Sequence, residues 1–172
     1  MFLTTFILIL PAFVLCAKKA ESKIYLVTEN GTVPTKHIGT IEITELKDGK
    51  FHFKGNLKNL PPGPHGFHIH QNDSIDNACI AAGPHLNLHN NNHGGLNSQV
   101  RHEGDLGNIS TDKKGNTKID IKVGGLDFNG TANLLSRTLV VHQLIDDLGL
   151  GSSNASRTAG NSGARIACGL IN

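Results

Sequence analysis

The stretch HIGTIEITELKDGKFHFKGNL, residues 37–57, alternates apolar and polar side chains on both sides of KDGK. A period of two is the signature of a half-buried strand, and Lys47–Asp48–Gly49–Lys50 is turn chemistry, so the stretch predicts two antiparallel strands. The same rhythm recurs in KIYLV (23–27), GFHIH (66–70), GDLGNIS (104–110), TKIDIKV (117–123), RTLVVHQ (137–143) and ARIACGLI (164–171). NGT, LPPGP, DKKGN and DFNG supply turns between them. No segment holds a 3.6-residue apolar period for more than about one turn. The expected fold is all-β, an eight-stranded antiparallel Greek-key barrel or sandwich.

Two segments interrupt the rhythm. Residues 71–103 and 143–163 are long and rich in Gly, Asn, Ser and His, which in a compact domain marks functional loops. At 172 residues the chain is one domain's worth, large enough to bury a core. A formal charge of +2 with 17% charged residues leaves no basic stripe, which argues against nucleic acid or an anionic membrane as partner.

The opening MFLTTFILILPAFVLCAKKA carries an apolar run of about fifteen residues that stops before Lys18, a signal-peptide length and short for a membrane span. We expect residues 1–17 to be a leader, with Ala20 as a second cleavage point, and a mature domain over 23–172 that is secreted and free of the membrane. An uncleaved signal anchor is the alternative. Removing the leader removes Cys16 and leaves Cys79 and Cys168, which in an oxidising compartment most simply pair with each other. Such a bond closes a loop of about ninety residues, for which the chain-entropy model gives roughly 4 to 5 kcal/mol. N-x-[ST] sequons at Asn30, Asn72, Asn108, Asn129 and Asn154 are candidate glycosylation sites in a secreted chain.

AGPHLNLHNNNHGGLNSQVRHEGDLGN brings His85, His89, His93, His102 and Asp105 into about twenty residues. Imidazole and carboxylate are the ligand set of zinc, copper and iron sites, although a solvated histidine-rich loop stays open on this stretch alone. His68 and His70, two apart on a strand, and His142, ending another, could converge on a second ion. His68, His70, His85, His93, His102, Asp105 and His142 fall one ligand short of two four-coordinate sites, a gap that one imidazole with both nitrogens metallated would close.

Taken together, GFHIH, AGPHLN, NHGG, RHEGDLGN, RTLVVH, DDLG and GARIACG stand in an order and spacing that resembles the copper/zinc superoxide dismutases over roughly residues 23–172. The sequons favour a secreted eukaryotic member. The resemblance implies one copper per subunit on His68, His70, His85 and His142, and one zinc on His85, His93, His102 and Asp105. It implies that Cys79 and Cys168 form the intrasubunit disulfide, that Arg165 is the cation beside the copper, and that Asp146 holds the rings of His68 and His93. The activity it implies is dismutation of superoxide to dioxygen and hydrogen peroxide by a redox-cycling copper with a structural zinc. His85 would then be both shared ligand and proton relay, with His142 and Arg165 completing the catalytic group. A homodimer is implied, with a tetramer as the larger option.

His65 matches a structural histidine of the family, while His37, His52 and His89 read as surface or loop residues. The second loop departs from the family: Leu144 and Leu150 stand where charge is usual, Ala159 where a threonine usually narrows the channel, and Arg157 is a replacement cation. The competing readings are a non-enzymatic secreted metal-binding module or copper-chaperone-like domain, and an adhesive sandwich stiffened by zinc and a disulfide.

Overall fold

The alternation in 37–57 folds as a hairpin in the computed structural model, which describes residues 18–28 and 33–172. Strand β2 (Lys36–Glu45) runs antiparallel to β3 (Phe51–Leu57), with Ile43 opposite Phe53 and Glu42 opposite Lys54. Ile41, Ile43, Phe51, Phe53 and Leu57 point into the core while the charged partners point to solvent, as a period of two demands. The other strands are β1 (Lys19–Leu26), β4 (Gly63–His70), β5 (Asp105–Thr111), β6 (Thr117–Val123), β7 (Thr138–His142) and β8 (Arg165–Leu170).

All eight strands close into one barrel in the order β1-β2-β3-β6-β5-β4-β7-β8, every pairing antiparallel. The β3-to-β6 and β4-to-β7 neighbours make it a Greek key. Two seams are thin. β5 meets β6 only at Thr111 opposite Thr117, whose buried hydroxyls lie 2.6 Å apart, and β1 meets β8 at Tyr25–Cys168 and Leu26–Ala167. The closed barrel is thus two half-sheets, which is why barrel and sandwich are both fair descriptions.

The core between the half-sheets holds Ile24, Ile41, Phe53, Phe67, Ile69, Leu106, Ile119 and Leu139. Residues 124–137 contribute to it, because Leu126, Phe128 and Leu134 are buried and Phe128 meets Phe51 edge to face at 4.9 Å. Asp127 bends that segment by accepting from the amides of Asn129 (3.1 Å) and Ala132 (3.2 Å). A smaller cluster of Cys79, Ala82, Val140 and Cys168 lies on the outer face of β7 and β8, and there Cys79 and Cys168 are joined with their Cα atoms 6.1 Å apart.

The structure differs from the sequence expectation at the start of β1 and at one helix. β1 begins at Lys19, ahead of KIYLV, because Lys19 and Ala20 pair with Thr44 and Ile43 although Lys18, Lys19 and Glu21 are too polar to signal a strand. A short helix α1 (Asn154–Ala159) sits in the second long loop, with Ser153 Oγ accepting from Ser156 N at 3.0 Å and Gly160 ending it at φ 64°. Six residues are too few to display a helical period. The leader, residues 1–17, and the sequon at Asn30 lie outside the described residues. Among the described residues no helix is long and apolar enough to cross a membrane.

Truncating a fully buried ring between the half-sheets leaves a cavity that neighbours on two sheets cannot both collapse into. Phe53→Ala is expected to lower the unfolding free energy of metal-free protein by about 3 to 5 kcal/mol, measured by urea titration; a loss under about 1 kcal/mol would mean that the core is not packed around this ring.

Candidate metal centre

Strand alternation decides which side of the barrel can carry chemistry. On β4, Phe67 and Ile69 enter the core, so His68 and His70 must emerge on the outer face. On the adjacent β7, Leu139 and Val141 face in and His142 faces out, with Phe67 opposite Val141 and Ile69 opposite Leu139. That outer face is not wet: His68, His70 and His142 are buried under the two long loops.

The first loop is stitched down at Ile69, whose amide donates to Gly104 O (2.9 Å) and whose carbonyl accepts from Leu86 N (2.9 Å), while Gly104 N donates to Leu86 O (3.0 Å). A Cβ on Gly104 would collide with the Ile69 carbonyl oxygen, so this close approach requires glycine. The stitch brings His85, opposite His70, and His102 and Asp105 to the strand histidines. The second loop is tied to the first by His93 N donating to Arg157 O (2.7 Å).

Ring nitrogens sort into two kinds. Five imidazoles spend one nitrogen on an acceptor that lies away from the centre: His68 Nε2–H on Asp146 Oδ2 (3.0 Å), His93 Nε2–H on Asp146 Oδ1 (2.8 Å), His70 Nδ1–H on Gly83 O (2.8 Å), His102 Nε2–H on Asn91 O (3.0 Å) and His142 Nδ1–H on Gly163 O (3.2 Å). Carbonyls and carboxylates only accept, so the nitrogen facing each carries the proton; in His68, His70 and His142 the other nitrogen faces no acceptor and presents a lone pair, whereas Nδ1 of His93 and of His102 turns to Asp105 Oδ1, at 2.9 and 3.2 Å. His85 is the exception among these rings. Its Nδ1 lies 2.9 Å from Asp105 Oδ1 and its Nε2 has no hydrogen-bond partner, so both of its nitrogens face inward.

The inward atoms form two sets, each with its members within 4.8 Å of one another. His68, His70, His85 and His142 make one; His85, His93, His102 and Asp105 make the other. Buried polar atoms are ordinarily satisfied, yet His68 Nδ1 and His85 Nε2 have no hydrogen-bond partner, and His93 Nδ1 has only the Asp105 carboxylate, 2.9 Å away. Nε2 of His70 and Nε2 of His142 meet at 3.2 Å, lone pair to lone pair. A cation is what such atoms fit, and borderline-soft N/O donors in fours suit zinc and copper. A third grouping, His68, His93 and Asp146, is already closed by direct hydrogen bonds.

Asp146 is the link between the two sets. Its carboxylate accepts from one ring of each, and Leu148 N adds a 2.7 Å bond to Oδ1. Asp105 Oδ2 accepts from the amides of His102 (2.8 Å) and Gly94 (3.0 Å), which aims Oδ1 at the three rings. The Arg165 guanidinium donates to Cys79 O, to Ile80 O (3.0 Å) and to Gly83 O, the acceptor that also holds His70. Through the Cys79–Cys168 bond the arginine, the loop and a ring of the first set are held in one frame.

His65 turns both nitrogens to carbonyls, Nδ1 to His142 O (2.9 Å) and Nε2 to Pro61 O (2.7 Å), so it braces the β4–β7 end and offers nothing to an ion. His52 pairs with Asp120 (2.7 Å), His89 with Glu103 (2.7 Å), and His37 stacks edge to face on Tyr25, all away from the centre. In the second loop Leu144 and Leu150 are exposed, Leu150 at 85%; Ala159 is half-buried and Arg157 reaches Ser152 O (2.8 Å). Three contributors carried no signal in the sequence, Gly83, Asn91 and Gly163, because they act through backbone carbonyls, which every residue has.

Burial first, and the neighbouring His85 ring second, hold His68 and His70 well below the ordinary imidazole range. Burial also lowers His85, and it takes His142 down to about 3. For His93 burial acts downward too, but the hydrogen bonds to Asp105 and Asp146 outweigh it and raise the ring to about 9. Asp105 is pushed up by burial and pulled down further by His102, His85 and His93, remaining ionised.

Three comparisons agree with this geometry. The family model described as copper/zinc superoxide dismutase (SODC) matches residues 37–171, from β2 to the end of the barrel. The chain is 42% identical over 153 residues to the extracellular superoxide dismutase [Cu-Zn] of Haemonchus contortus, covering 89% of this chain and 82% of that one. It is 41% identical over 144 residues to the extracellular superoxide dismutase [Cu-Zn] of Caenorhabditis elegans, covering 83% of this chain and 64% of the relative's length. A solved structure described as that of the clock protein EA4 superposes with a TM-score of 0.80 at 35% identity, covering 91% of this chain and 94% of the other.

The sign of the pH dependence of metal-free protein follows. His68, His70, His85 and His142 have folded values below 6.5, so their contribution is complete above 6.5 and is lost as pH falls, for His142 down to about 3. His93 runs the other way, contributing below 6.5 and losing it as pH rises through about 9. Melting temperatures of chelator-treated protein should therefore peak a little above pH 6.5, falling steeply on acidification and more gently as pH rises toward 9; a protein that grew more stable below pH 6 would contradict the neutral state of His68, His70, His85 and His142.

Proposed function

The chain belongs to the copper/zinc superoxide dismutase family, and from that premise we propose that its buried histidine centre carries the dismutation of superoxide to dioxygen and hydrogen peroxide. Copper would be held by His68 Nδ1 and by Nε2 of His70, His85 and His142; zinc by Nδ1 of His85, His93 and His102 and by Asp105 Oδ1. The observation that carries this reading is the His85 ring, whose two nitrogens both face inward, one toward each set. Four imidazoles suit a copper that changes oxidation state, and three imidazoles with a carboxylate suit zinc, which does not. When bound, copper supplies one-electron chemistry, while zinc supplies charge and shape.

The protein's own part is arrangement. Asp146, Gly83, Asn91 and Gly163 fix the rings by their outward nitrogens, so that the other nitrogen of each is turned to the centre. His85 Nε2, buried and without a protein partner, would hold copper on that nitrogen and is the atom of the ring free to hold a proton in its place. Arg165, a permanently charged fork fixed by three carbonyls, docks a small anion beside the His70 side of the centre. No member of the ligand set and no docking cation is replaced, so nothing favours a non-enzymatic metal module.

Secretion belongs to the same reading, since the relatives from both nematodes carry the name extracellular. Cleavage after Ala17 leaves β1 whole, whereas cleavage after Ala20 would strip the Lys19–Thr44 and Ala20–Ile43 pairs from its ladder. Asn72, Asn129 and Asn154 are exposed and open to glycans, and a homodimer is the assembly we expect.

Metal analysis and a superoxide assay on one purified sample test the reading. The protein should hold copper and zinc and consume superoxide. His142→Ala should lose turnover while zinc stays bound; full activity in that variant would refute the copper assignment.

A further inference from the structure

Asn108 stands in a sequon, Asn108–Ile109–Ser110, yet its side chain is already spoken for. Its Oδ1 accepts from Asp146 N (2.8 Å) and its Nδ2 donates to Asp146 O (2.9 Å), so the whole amide grips the backbone of the residue that links the two ligand sets. Asn108 lies on β5 opposite Gly66, and Gly66 N in turn donates to Leu144 O (2.9 Å). A Cβ on Gly66 would press on Ser162 at 2.8 Å and on the His68 ring at 3.0 Å. The second loop is therefore clamped flat on β4 and β5 at the point where Asp146 must reach both His68 and His93.

The same device occurs once more. Asn87 Oδ1 accepts from Asn91 N (3.0 Å) and Asn87 Nδ2 donates to Asn91 O (3.0 Å); Asn91 O is the acceptor of His102 Nε2–H. Two asparagine clamps thus hold the acceptors that orient three of the rings. The one on Asn87 serves a ring of the second set only, and the one on Asn108 serves a ring of each set.

We propose that Asn108 is a positioning residue for both metal sites, and that its sequon consequently stays unglycosylated in the native protein. The chemistry makes the two uses exclusive. A grip on N–H and C=O of one residue uses the amide hydrogen on the same side as Oδ1. An N-linked sugar on a planar, trans amide replaces that same hydrogen, because its C1 lies opposite Cβ. The cis alternative costs about 2.5 kcal/mol before any steric clash is counted. Among the described sequons Asn108 alone spends both amide atoms on the backbone of one residue; Asn72, for comparison, donates only to Ala81 O (2.9 Å). The metal part rests on the function proposed above; the glycan part rests on the fold.

Folded protein secreted from a glycosylating eukaryotic host, analysed site by site by mass spectrometry, should carry no glycan on Asn108; a glycan there overturns the proposal. Zinc(II) and copper(II), each added to chelator-treated protein against a competing chelator, supply the second arm. Asn108→Ala should weaken both metals by roughly ten-fold, the low end for loss of a ligand-orienting partner, and Asn87→Ala should weaken zinc alone. Ser110→Ala, which removes the sequon and keeps the clamp, should change neither. Asn108→Asp, which keeps the acceptor for Asp146 N–H, should fall between, so a folded variant is available if the alanine form does not fold. Wild-type affinity in both Asn108 variants overturns the clamp. Wild-type protein that holds neither metal overturns the functional reading instead, and the glycan measurement still stands.

Discussion

A buried imidazole has two nitrogens to satisfy, and in this protein Nδ1 of His68 and Nε2 of His70, His85 and His142 face no acceptor of the chain, while a single oxygen, Asp105 Oδ1, is shared by Nδ1 of His85, His93 and His102. The structure depends on that shortfall. Leaving buried lone pairs opposed, as at His70 and His142, costs free energy that hydrogen bonds within the protein do not recover. The fold tolerates the centre because a cation can satisfy all of these atoms at once, and binding energy of that kind is also folding energy. The barrel supplies the rigidity that makes the arrangement specific: its strands cannot shift by one residue without turning Phe67 and Ile69 out and His68 and His70 into the core.

The loops do what strands cannot. A sheet face is open to water unless something covers it, and here the cover is irregular chain that must itself be held. It is held at a few defined points: the Ile69 stitch, the asparagine clamps and the Cys79–Cys168 bond. The disulfide closes a separation of 89 residues, so it ties the last strand to the middle of the first long loop. Arg165 is set by carbonyls of that loop, which makes the docking cation and the orientation of His70 parts of one assembly. By contrast the exposed Leu144 and Leu150 leave the second loop with little charge at its rim.

Much was legible in the sequence, for a physical reason that differs from feature to feature. Strands were legible because period two is written directly in residue type; 37–57 predicts β2 and β3 to within a residue at most ends. β1 was mistaken at its start because Lys19 and Ala20 join a ladder through backbone, and α1 was missed because one and a half turns show no period. The histidines were legible as candidates because imidazole is the commonest metal-binding side chain, but His89 stood among them on equal terms by composition. It is the fold that sends His89 to Glu103 at the surface and His93 to the centre.

What the sequence by itself determined is the all-β architecture, the pair of long loops and the inventory of ligand types, since each is encoded locally in side-chain chemistry and spacing. What only the tertiary structure decided is which nitrogen of each ring faces the centre, and that Asn108 grips Asp146. Those depend on partners 11 to 78 residues away, and on backbone carbonyls that no residue type announces.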